Sequence, residues 1–183
     1  AFCLWYRDRD HHRDATRDLA FVRAHTQSLF DGAEIRESPI HGFGLFATRS
    51  WSEGEVACER LSGQILSYDD YEKLRARLAP SVGRLHNFFF MEWNALDRDR
   101  LLVRPFRTTY SFINHDSCPN LQVDRDGDAL FLTVIRDIPC DREFTLDYTK
   151  EPLPRGYFDT PYLGYLVPAF PASASTLEAL HNG

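Results

Sequence analysis

A chain of 183 residues with 43% hydrophobic and 14% aromatic content can bury a real core, so one folded domain with additions at its ends is expected rather than a disordered polymer. The formal charge of −6, from 27 acidic against 21 basic residues, argues against a dedicated nucleic-acid binder, because neutralising phosphates needs a cluster of Lys and Arg that this chain lacks. Cys3, Cys58, Cys118 and Cys140 lie far apart, without the close pairs of a structural zinc site or the density of a disulfide scaffold, and no apolar stretch approaches membrane-spanning length.

The expectation is therefore a soluble protein, cytoplasmic where it is made, with no direct nucleic-acid or membrane partner. A later location in a nucleus or a host cell is left open. Mild acidity suits a basic peptide as partner.

From the N-terminus, 7–17 is dominated by Arg, Asp and His, and Leu19, Phe21, Val22, Leu29 and Phe30 have the spacing of a short helix. Residues 1–33 thus read as an added, helical element before a domain over 34–150. Strands are predicted at 34–38 and 44–51, on either side of the Pro39-Ile40-His41-Gly42 turn, with extended chain over 56–66 bending at Gly63. Ser67 is a plausible N-cap, with Asp70 three residues on. Tyr68, Tyr71, Leu74 and Leu78 follow at helical spacings until Pro80, which is expected to stop the helix. A strand pair is predicted over 88–93 and 100–103, and a hairpin over 121–123 and 129–135, where Asp126-Gly127 supplies a positive-φ residue. Many short strands with few helices make a mainly β domain with small helical insertions. Beyond Tyr148 prolines interrupt regular structure, and 151–183 reads as an aromatic and proline-rich segment that packs on the domain and frays at its end.

Three segments carry chemistry. In Gly42-Phe43-Gly44, a glycine pair lets the backbone turn sharply and approach a ligand closely. In Phe112-Ile113-Asn114-His115-Asp116-Ser117-Cys118-Pro119-Asn120, an apolar lead-in delivers an amide and an imidazole to an irregular backbone, and such buried polar groups need partners. In Glu143-Phe144-Thr145-Leu146-Asp147-Tyr148, an alternating run ends on a tyrosine hydroxyl. Each alone reads as an ordinary turn, a polar loop or a packing residue.

In this order and spacing the three segments resemble the SET-domain protein-lysine methyltransferases over roughly 34–150. The resemblance implies a fold of short curled sheets with a threaded, pseudoknot-like crossing near the C-terminal motifs. It implies S-adenosylmethionine as cofactor, contacted by Gly42, Phe43, Gly44, Asn114 and His115. It implies Tyr148 as the catalytic tyrosine, a substrate lysine on a protein or peptide, in particular a histone-like tail, and no metal in the site. The lysine channel would be lined by Tyr110 and Leu146, with Tyr157, Phe158 and Tyr162 standing in for the zinc-held wall that the family's cysteine-rich flanks provide. Asp116 and Ser117 replace the usual Ser and Cys after the Asn-His pair. Leu146 stands where Phe or Tyr is usual two residues before the catalytic tyrosine, so the number of methyl groups added is not legible. These departures keep a second reading in view, a catalytically weak or inactive module of the same fold that binds a protein partner. A metal site built from His115, Cys58, Cys118 and Cys140 is the weakest alternative.

Overall fold

A computed structural model describes residues 15–82 and 90–152. Helix α1 (Ala15–His25) leads into the antiparallel pair β1 (Ala33–Glu37) and β2 (Phe43–Ala47). Strand β3 (Val56–Cys58) joins the hairpin β8 (Leu121–Asp126) and β9 (Ala129–Val134) in a three-stranded sheet ordered β3-β9-β8. Strands β4 (Gln64–Ser67), β5 (Phe90–Ala95) and β6 (Arg100–Phe106) form a second sheet, ordered β4-β6-β5, against which helix α2 (Tyr68–Val82) packs. Two short strands, β7 (Asn114–His115) and β10 (Thr145–Leu146), pair in parallel. The architecture is mainly β, in small sheets with two helices.

Local chemistry explains most of these elements. The β8–β9 turn places Gly127 at φ 57° in the first of two loop positions, where no Cβ opposes a left-handed backbone. Ser67 caps α2: its Oγ accepts the Asp70 amide at 3.1 Å and donates to the Asp70 carboxylate at 2.8 Å. That helix does not stop at Pro80 but runs to Val82. In the last turn a proline forfeits one i→i−4 bond rather than interrupting a long ladder.

The principal core gathers β2, β3, β8, β9 and the chain around Ile113 and Phe144. At its centre Phe30, Trp51 and Phe144 meet edge-to-face, with centroids 5.6 to 5.8 Å apart. Phe144 is fully buried and directly precedes β10, so the aromatic triangle fixes the strand that carries Leu146. Phe144→Ala is expected to reduce stability by about 3–5 kcal/mol, read as a lower urea midpoint at unchanged slope. A loss below about 1 kcal/mol would mean that the site refills on truncation.

Helix α1 and the residues after it contact the strands that follow. Val22 is buried, the Arg23 guanidinium donates to the Ile35 carbonyl at 2.7 Å, and Gln27 bridges in parallel to Thr108. The second sheet holds a buried ion pair. Arg104 Nε donates to Glu92 at 2.6 Å, with both side chains 4% exposed, and the Glu92 carboxylate also accepts from Thr108 N, Thr108 Oγ1 and Ser111 Oγ. The rest of the guanidinium donates to Asn94 Oδ1 and Ser62 O. A buried pair this fully satisfied holds the 3-10 turn Thr109–Phe112 against the sheet, directly before Asn114.

Candidate active site

The three sequence segments converge. Phe144 N donates to Leu45 O at 2.8 Å and Glu143 bridges Phe46, so the third segment runs beside β2. On its other side, Thr145 stands opposite Asn114 and Leu146 opposite His115 in the parallel pair. Asn120 clamps the same strand, donating to Glu143 O and accepting from Thr145 N, both at 2.8 Å. Parallel pairing needs a long connection, which the β8–β9 hairpin supplies between β7 and β10.

The glycine turn is bound to Asn114. Gly42 takes φ 50°, and its carbonyl accepts Ser38 N at 2.8 Å. The Asn114 amide nitrogen faces four acceptors: Glu143 Oε1 at 2.7 Å, Ser38 Oγ at 3.1 Å, and the carbonyls of His41 and Phe43 at 3.2 Å. An amide donates only two hydrogens, so these bonds are shared, and they leave no doubt which way the group points. With the nitrogen held there, Oδ1, the other arm of the planar amide, points away from these four acceptors. The site thus sets an amide oxygen close to a turn in which Gly42 carries no side chain.

On the other side of the Asn-His pair lies Tyr148. Its hydroxyl donates to Ile113 O at 2.5 Å, and its amide donates to His115 Nδ1 at 3.1 Å. Because Nδ1 accepts an amide hydrogen, the ring proton sits on Nε2, and the 3.9 Å approach of Nδ1 to Asp147 is not an ion pair. Asp147 instead accepts from the Thr149 amide and hydroxyl. Leu146 is buried, with its carbonyl accepting Asp116 N at 3.0 Å. The Asp116 carboxylate accepts Cys118 N at 2.8 Å, so the departure from the usual Ser builds a local Asx turn.

Tyr110 packs half-buried against the core. Burial, and after it the negative charge of Glu151, hold its phenol well above the ordinary tyrosine range, so it stays neutral. Glu151 is raised by burial while paired at 2.7 Å with Arg125. Tyr157, Phe158 and Tyr162 lie outside the described residues. No three His, Cys, Asp or Glu side chains cluster as metal ligands among the described residues, so Cys58, Cys118, Cys140 and His115 do not form the alternative metal site. No helix among the described residues is long and apolar enough to cross a membrane.

A model of the SET domain matches residues 42–149. The chain belongs to the SET-domain family. It is similar to a variant-silencing SET domain-containing protein of Plasmodium falciparum (isolate 3D7), 26% identical over 137 residues, which is 70% of this chain and 5% of that protein's length. The chain thus spans a small part of the relative that it matches. SET domains are generally protein-lysine methyltransferases using S-adenosylmethionine, and this SET domain brings Gly42, Phe43, Gly44, Asn114, His115, Leu146 and Tyr148 to one place.

Other residues of the SET domain's site were not assigned by the motifs. Ser38 and Glu143 secure Asn114, and Glu92 with Arg104 secures the turn before it. Glu92 carried a legible signal, a carboxylate inside the apolar run Phe88-Phe89-Phe90-Met91-Glu92-Trp93, since such a charge must be paired or exposed. Ser38 carried none, because its partner lies 105 residues away.

Proposed function

We propose that this SET domain transfers methyl groups from S-adenosylmethionine to a lysine side chain of a protein substrate, a basic, histone-like tail in particular. The observation that carries the reading is the Tyr148 hydroxyl bonded to Ile113 O, one residue before the Asn114-His115 pair. The residues fit the cofactor: the Gly42–Gly44 backbone, Asn114 Oδ1 and His115 would hold it, with Oδ1 suited to an ammonium donor. When bound, it supplies an electrophilic methyl on sulfonium.

The protein's own task is to present an uncharged amine in line with that methyl. Lysine has a pKa of about 10.4, so holding it neutral at pH 7 costs about 4–5 kcal/mol. Apolar walls such as Leu146 and the neutral ring of Tyr110 disfavour the ammonium, which sheds its proton to solvent on entry. Because the Tyr148 hydrogen is already given to Ile113 O, the lone pairs of its Oη can accept an N–H from the amine. That bond turns the amine's own lone pair toward the cofactor side. Rate enhancement then comes from alignment and fixed dipoles. No general base is assigned.

Incubation with isotopically labelled S-adenosylmethionine and a panel of basic proteins tests the reading. The expected result is label on lysine. Cofactor binding without label on any substrate would favour the module that binds a partner and transfers nothing.

A further inference from the structure

We propose that Glu143 is a positioning residue of the cofactor site, and that Gly44 lacks a side chain to make room for the Glu143 carboxylate. This rests on the methyltransferase reading for its cofactor half only. Gly44 sits in β2 opposite Arg36, and it is not among the glycines with positive φ, so backbone strain does not demand glycine there. Space does. A Cβ built on Gly44 would stand 2.1 Å from Glu143 Oε1 and 2.6 Å from its Cδ, and 3.0 Å from Ser38 Cβ. The carboxylate is thus seated in the gap that the glycine leaves.

From that seat it does three things. It accepts the Ser38 hydroxyl hydrogen at 2.8 and 2.9 Å, which leaves the lone pairs of that oxygen to be shared among the amides of Ile40 and His41, at 3.0 and 3.2 Å, and Asn114 Nδ2, at 3.1 Å, and so closes the turn into Gly42. It makes the shortest bond to the Asn114 amide nitrogen, and this bond is the charge-assisted one. By holding that nitrogen, it keeps Asn114 Oδ1 facing the other way, as an acceptor for the cofactor's amino group. The glycine motif, the serine and the asparagine therefore act as one unit whose centre is the carboxylate.

The test is a thermal and binding cycle over Gly44→Ala, Glu143→Ala, Glu143→Gln and the double variants. Gly44→Ala is expected to lower the unfolding temperature. Adding Glu143→Ala removes the two closest clashes and leaves the 3.0 Å approach to Ser38 Cβ, so the step from Glu143→Ala to the double variant lowers the melting temperature much less than Gly44→Ala lowers that of the wild type. Glu143→Gln keeps the bulk, so it gives no such rescue. Additive losses would overturn the spatial half, because distant or independent defects add. For binding, Glu143→Ala is expected to weaken S-adenosylhomocysteine about tenfold, the scale of one hydrogen bond to a charged group. Affinity for 5′-methylthioadenosine, which lacks the amino-acid end, should stay unchanged. Equal loss of both ligands, or loss of neither, would overturn the positioning role. If the wild-type chain binds neither ligand, the methyltransferase reading and the cofactor half fall together, and the thermal cycle alone decides the Gly44 half.

Discussion

Tyr148→Phe is expected to reduce the rate of methyl transfer by about 10²–10³-fold, the usual effect of deleting one preorganised polar contact at a reacting centre. Affinity for the cofactor should hardly change, because the hydroxyl points to Ile113 O, while the backbone bond from Tyr148 N to His115 Nδ1 does not involve the side chain. The ring also lies against His115, with centroids 5.3 Å apart, and phenylalanine keeps that contact. The loss should therefore fall on kcat with little change in KM. Single-turnover measurement of label transfer, beside calorimetric titration of S-adenosylhomocysteine, separates the two. A variant that transfers at the wild-type rate would remove Tyr148 from the mechanism.

Glu92→Gln or Arg104→Met is expected to destabilise the fold as severely as Phe144→Ala. Each leaves a charge buried without its partner, an effect of about 3–5 kcal/mol, against a total of about 5–15 kcal/mol for a typical domain. Both residues are buried, so water cannot take over the lost bonds. The two substitutions should couple strongly, the double variant losing much less than the sum, since it strands neither charge. Denaturant unfolding of the four chains checks this. Additive losses would mean that Thr108, Ser111 and Asn94 satisfy each partner independently. Because Thr108 caps the 3-10 turn that contains Ser111 and ends at Ile113, damage here should also reach the carbonyl that receives the Tyr148 hydroxyl.

The elements legible in sequence were those whose signals are local. The α2 cap at Ser67, the β5–β6 pair and the Gly127 turn follow from residues within a few positions of one another. Helix α2 passes Pro80 because position within a helix, and not the residue alone, sets what a proline does. The motif residues Gly42, Asn114, His115 and Tyr148 were found by order and spacing, and the fold brings them together through the β2–Glu143 bridge and the β7–β10 pair. The partners that support them were not legible, although Glu92 stood out as a carboxylate in an apolar run. Ser38 and Glu143 meet across 105 positions, and Glu92 meets Thr108 through a sheet edge; such pairs leave no periodicity. Gly44 shows the difference most clearly. Its sequence context suggests close approach of a ligand, and the fold places a carboxylate in the gap.

The most direct measurement is a crystal structure of the domain with S-adenosylhomocysteine and a lysine-containing peptide. The expected result is the thioether sulfur beside the Gly42 turn and Asn114, with the lysine Nζ within about 3 Å of Tyr148 Oη and the line from Nζ to sulfur clear. A cofactor bound away from Asn114, or a lysine that cannot reach Tyr148, would contradict the account.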